Sequence, residues 1–141
     1  MPDNPSGHSA EADPLAVIDR LEAMWNTQRL EAVLSLFTDQ AVLKILPPPP
    51  GESGCYTGKV QLQPFLKGQI ADSHVWFRSH HYANDHLIWM AKLSSPYFRQ
   101  RGLDPVECRG EAIIETGKIT HLTVTLLPEM VAKLRASRAP S

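Results

Sequence analysis

The stretch Val75-Trp76-Phe77-Arg78-Ser79-His80-His81-Tyr82, followed after Ala83-Asn84-Asp85 by His86-Leu87-Ile88-Trp89-Met90-Ala91-Lys92-Leu93, decides the architecture. Up to Ala71 the apolar residues recur at helical spacing. From Val75 they recur at every second position, the period of a half-buried strand. Two such runs around a short polar turn predict an antiparallel pair. Because successive strand side chains point to opposite faces, one of the adjacent histidines His80 and His81 should look toward the interior and the other away. An inward imidazole is the leading candidate for chemistry.

Upstream, Asp13-Pro14 supplies a helix cap and a first-turn proline, and Leu15, Ile18, Leu21, Met24 and Trp25 form one apolar face. Leu30, Val33, Leu34 and Phe37 predict a shorter second helix ending near Asp39. Ala41 to Leu46 reads as a strand, stopped by Pro47 to Pro50 because prolines offer no ladder donors. A stiff loop runs on through Gly54, and Val60, Leu62, Phe65, Leu66 and Ile70 mark a third helix introduced by Tyr56-Thr57-Gly58. Downstream, Ser94 to Pro105 reads as a loop carrying Tyr97 and Phe98. Val106 to Glu115 and Lys118 to Leu127 flank Thr116-Gly117 as a hairpin, and Pro128 to Arg135 predicts a short closing helix. Helices first and antiparallel strands afterward imply an α+β domain in which helices cover one face of a curved sheet.

The 141 residues suit one domain, expected over residues 13–135 between disordered polar tails at 1–12 and 136–141. A net charge of −1 with both signs interspersed leaves no electrostatic footprint for nucleic acid or an anionic membrane surface. No apolar run is long enough to cross a bilayer and no leader segment is visible, so the expectation is a soluble cytoplasmic protein. Cys55 and Cys108 lie far apart without ligand spacing and read as free thiols. Among His74, His80, His86 and His121 no pair has spacing suited to a metal, so neither a metal nor a cofactor is expected.

Two helices, a strand, Tyr56-x-Gly58 opening a third helix, and a final Gly117-Lys118-Ile119 hairpin occur here in an order that resembles the nuclear transport factor 2-like superfamily, in particular its SnoaL-like members. The resemblance runs from about Pro14 to Leu134 and implies a cystatin-like α+β cone: a curved mixed or antiparallel sheet covered by three helices from the first half of the chain. That scaffold hosts isomerases, epoxide hydrolases, dehydratases, cyclases and plain binding modules. The positions matching the ketosteroid isomerase plan hold Ile45, Leu21 and roughly Gly110, which cannot perform it. Those matching limonene epoxide hydrolase hold Leu43, Ile45, Ala91, Leu93 and Val124, equally unsuited. His81-Tyr82 matches the general-base histidine of proteins similar to scytalone dehydratase, but the aspartate that supports that base is replaced by Asn26, which can orient an imidazole without stabilising its charged form.

The resemblance thus implies His81 as acid/base and Asn26 as its orienting partner, in lyase, isomerase or cyclase chemistry. It also implies a concavity lined by Trp25, Leu43, Ile45, Tyr56, Phe77, Ser79, Trp89, Cys108 and Val124, suited to a small hydrophobic or aromatic molecule. The other readings of these residues stay open: an interior hydrogen-bonded His81, Asn26 as a helix cap, and the aromatic residues as plain core. The opposite face, with Trp76, Arg78, Ile88, Met90, Glu111, Ile113, Thr123 and Thr125, reads as too apolar for open water and suggests a homodimer through it. The alternative function is a non-enzymatic ligand-binding or dimerisation module of the same fold. Nuclear transport is disfavoured, because only the fold supports it.

Overall fold

The computed structural model describes residues 13–49 and 51–136. The tails expected to be disordered, 1–12 and 136–141, lie outside the described residues except for Ala136, which ends the last helix. Helix α1 (Pro14–Asn26) starts as the sequence predicts: the Asp13 carboxylate accepts from the Leu15 N–H at 3.0 Å, Pro14 occupies the first turn, and Val17, Ile18 and Leu21 are buried. Helix α2 (Leu30–Ser35) buries Val33 and Leu34. It stops well before Asp39, because Phe37 already belongs to strand β1 (Phe37–Leu46), where it pairs with Ile119. The Ile119 N–H donates to the Leu36 carbonyl at 2.8 Å, so a long-range ladder overrides the local helical spacing.

After the proline loop comes an edge strand not expected from the sequence, β2 (Cys55–Thr57), and then α3 (Gly58–Asp72), which buries Leu62, Leu66 and Ile70. Strands β3 (His74–Ala83) and β4 (His86–Ser94) form the predicted hairpin, with Asn84 at positive φ in its turn. A single helical turn, α4 (Pro96–Arg99), interrupts the following loop. Strands β5 (Val106–Glu115) and β6 (Lys118–Leu126) pair across Thr116-Gly117, both at positive φ as a tight hairpin turn of matching twist requires. Helix α5 (Pro128–Ala136) closes the described chain, and no helix among the described residues is long and apolar enough to cross a membrane.

The six strands form one curved, unclosed sheet in the order β2-β1-β6-β5-β4-β3, parallel at β1/β6 and antiparallel elsewhere. The expected α+β cone is therefore borne out. Helices α1, α2 and α3 pack on its inner face around Leu21, Phe37, Leu43, Leu62 and Leu66. The outer face is more charged than expected: Arg78 pairs with Glu107 at 3.1 Å, Arg109 with Glu111 at 3.4 Å, and His86 also contacts Glu111. Lys92 lies opposite Trp76 in the same row, so the apolar residues of this face sit among ion pairs.

The decisive departure is in β3. Arg78 pairs with Met90 and His81 with Ile88, so two residues, Ser79 and His80, oppose the single residue Trp89. This is a β-bulge, and Ser79 takes the left-handed conformation (φ 59°) that accommodates it. One extra residue inverts the phase of every side chain that follows. His81 is consequently exposed and outward, whereas His80 is half-buried and stacks on Trp89 at 6.4 Å between ring centroids. The expected orientations of the two histidines are reversed.

Candidate functional site

The inner face of the sheet and the helices above it enclose a cavity of about 290 Å³. Its floor comes from five strands: Ile45 on β1, Phe77 on β3, Trp89 on β4, Cys108 and Gly110 on β5, and Val124 on β6. Helix α1 contributes Leu21 and Trp25 and helix α3 contributes Phe65 and Gln69. A rim is built from Leu46 to Pro49, from Ser95, Tyr97 and Phe98, and from Leu134 of α5. The deep residues are sealed, with Trp89 and Cys108 each 2% exposed, whereas Leu46 on the rim is 44% exposed.

Gly110 fixes the shape of the floor. It pairs with Trp89 across the β4/β5 ladder, and a Cβ added there would lie 2.3 Å from Trp89 Cε2. Only a residue without a side chain lets the indole lie against the β5 backbone. Phe77 meets the same indole at 5.4 Å and His80 stacks on it, so Trp89 is braced by three neighbours.

Six of the expected lining residues, Trp25, Ile45, Phe77, Trp89, Cys108 and Val124, meet at this cavity. Three do not line it. Leu43 is buried in the core beside it, Ser79 is exposed at the bulge, and Tyr56 packs behind Phe65 with its ring stacked at 4.1 Å. The Tyr56 hydroxyl donates to Glu52 Oε1 at 2.7 Å, and burial, aided by that carboxylate, pushes its phenol up to about 12. His81 does not reach the cavity either.

Asn26 is fully engaged elsewhere. Its Nδ2 donates to the Val75 carbonyl at 2.7 Å and its Oδ1 accepts from the Val75 N–H at 2.9 Å. The side-chain amide thus imitates a neighbouring strand along the free edge of β3, and Glu22 extends the imitation by accepting from the Phe77 N–H at 2.9 Å. The position thought to orient a histidine instead clamps the sheet edge to α1.

Among the described residues, the lining contains no Asp, Glu, His, Lys or Arg. Burial, with a smaller contribution from Glu107, pushes the Cys108 thiol up to about 12, which keeps it neutral and a poor nucleophile. Trp25 spends its indole N–H on Ser73 Oγ at 2.9 Å. No group of three or more His, Cys, Asp or Glu among the described residues is placed to hold a metal ion. The site can desolvate an uncharged molecule and hold it against aromatic faces; it offers no carboxylate or imidazole to move a proton.

Sequence reasoning missed the rim. The prolines read as a connector, and Tyr97 and Phe98 as loop residues, although two adjacent aromatics in a loop were the available signal. Arg101 lies 3.8 Å over the Tyr97 ring and donates to its carbonyl, and Asp104 accepts from the Ser95 N–H, so this lip is tied down.

No family model matches the chain, and neither does any curated protein. Solved structures do match. Rv0760c from Mycobacterium tuberculosis, in complex with estradiol-17β-hemisuccinate, superposes with a TM-score of 0.70 at 16% identity over 85% of this chain and 96% of that one. A computationally designed 17-OHP binder gives 0.66 at 19% identity over 85% and 93%. An NTF2-like protein of unknown function from Cytophaga hutchinsonii gives 0.65 at 11% identity over 84% and 93%. With this sheet order, these helices and these neighbours, the chain has the nuclear transport factor 2-like fold.

Proposed function

We propose that the protein binds a small, neutral, hydrophobic molecule in the cavity under helices α1 and α3, and that binding rather than proton transfer is its task there. The observation that carries this reading is the combination of a cavity of about 290 Å³ with a lining free of carboxylates, imidazoles and cationic groups. A charged ligand would be stripped of water there without a compensating partner, whereas an apolar one gains from every buried contact. An apolar cavity of about 150 Å³ accommodates benzene, so this volume suits about two fused rings. The steroid-type ligands named for two structural neighbours support the same chemical class. Titration with tetralin, followed by quenching of tryptophan fluorescence, tests it. Saturable one-site binding is expected, and Val124→Trp, which fills the cavity from β6, should abolish it while the circular dichroism spectrum is retained. Binding that survives the filled cavity would refute the reading.

Catalysis by an isomerase, lyase or cyclase route is the second reading, and one observation favours it. The His80 Nε2 is sealed from solvent and has no hydrogen-bond partner, directly beside Trp89. A proton-transfer role for the histidine pair would then fall to His80 in place of His81, and His80→Gln would abolish turnover where His81→Gln would not. We further propose a homodimer through the outer sheet face around Trp76, which is 45% exposed against His74. Sedimentation equilibrium of wild type against Trp76→Glu tests this: a dimer that the variant disrupts is expected, and a monomeric wild type excludes it.

A further inference from the structure

Two indoles line the cavity, and their N–H groups differ. Trp25 is paired with Ser73. The Nε1–H of Trp89 has no acceptor among the described residues, although Trp89 is 2% exposed. Buried indole donors ordinarily find a partner, since leaving one unpaired forfeits its hydration. The only side-chain nitrogen or oxygen among the described residues that is both sealed and unpartnered is His80 Nε2. The Trp89 N–H therefore fronts accessible space, and the space that Trp89 lines is the cavity. Gly110 holds this donor in place, because its missing Cβ is what lets the Nε1 edge rest over β5, 2.7 Å from where that Cβ would stand.

We propose that the cavity selects neutral apolar ligands carrying a hydrogen-bond acceptor, a carbonyl or ether oxygen, at their inner end, and that the Trp89 indole N–H reads this acceptor. The proposal rests on the binding reading above and adds a polar requirement to it. An acceptor buried without a donor loses its water bonds uncompensated, so the donor discriminates most strongly among ligands that fill the cavity equally well. Of the other donors in the lining, Ser95 and Tyr97 stand at the rim and Gln69 on α3, and Cys108, two residues from Gly110 on the same face of β5, is a much weaker donor, which leaves Trp89 as the group on the floor that carries the selectivity.

Tetralin and 1-tetralone have the same two-ring shape and differ by one carbonyl oxygen. Calorimetric titration of the full chain with each, in wild type and in Trp89→Phe, isolates the donor. Loss of the indole N–H is expected to lower the affinity of 1-tetralone relative to tetralin by about tenfold, because the packing lost with the smaller ring is common to both ligands. In the wild type, the Trp89 indole N–H resonance should move downfield on adding 1-tetralone and not on adding tetralin, a readout that stands even if the variant fails to fold. Equal weakening of both ligands, or an indole resonance that responds to both alike, would overturn the proposal and leave the binding reading intact. Binding of neither ligand would overturn both.

Discussion

The two halves of strand β3 behave differently. From His74 to Arg78 it alternates regularly, its free edge is bound by Asn26 and Glu22 from α1, and Val75 and Phe77 face the cavity. From Ser79 onward the phase is inverted, no α1 side chain among the described residues holds the edge, and the residues are mostly exposed. The first half is held at both its backbone and its side chains, and it builds a site. The second half carries the histidines that look chemical in the sequence, and the bulge turns the expected one away from the interior. A residue type promising for catalysis counts for little until the ladder that aims it is known.

The contrast can be broken at graded points. Trp89→Ala should cost about 3–5 kcal/mol of stability in urea unfolding, because it empties the centre against which Phe77 and His80 pack. Asn26→Ala should cost about 1–3 kcal/mol, since it leaves the Val75 N–H and carbonyl unpaired at a half-buried edge, whereas His81→Ala in the exposed half should stay within about 0.5 kcal/mol. Equal costs for those two substitutions would erase the difference between the halves. Ser79→Val should destabilise by about 1–2 kcal/mol, because a β-branched residue resists positive φ, and Ser79→Gly should not destabilise.

A smaller effect concerns protonation. The Cys108 thiol is raised in the folded state, from 9.0 to about 12, so the native protein keeps its proton after the unfolded chain has released one. Its contribution to stability is therefore complete below about pH 9 and declines as pH rises toward about 12. Alkaline unfolding of Cys108→Ala should show a shallower decline over that window. Tyr56, also raised to about 12, adds a decline of the same sign above about pH 10. Iodoacetamide at neutral pH should label the exposed Cys55 and spare Cys108 until the protein is unfolded.

Much of the fold was legible because its signals are local. The Asp13-Pro14 start, the Leu62, Leu66, Ile70 stripe and the Thr116-Gly117 turn each encode their own geometry within a few residues. On β5, alternation placed Cys108 and Ala112 inward without outside help. What could not be read depends on a partner. Phe37 looks helical until Ile119 pairs with it, and Ser79 looks like an ordinary strand residue until Trp89 faces two residues at once. The rim formed by Pro47, Tyr97 and Leu134 joins segments far apart in the chain, so no spacing announces it. Asn26 reads as a partner of an imidazole on β3 and instead bonds the backbone of Val75 on that strand, since an amide that can orient an imidazole can equally complete a strand edge.

The proposed ligand is neutral, and the described lining of the cavity carries no carboxylate, imidazole or cationic group. The affinity for tetralin measured from about pH 5 to about pH 9 tests that most directly, because a histidine coupled to the site would change charge inside this range. One-site binding with an unchanged dissociation constant is the predicted result. An affinity that varies across the range and becomes constant in His80→Gln would contradict it and place an acid–base group at the site.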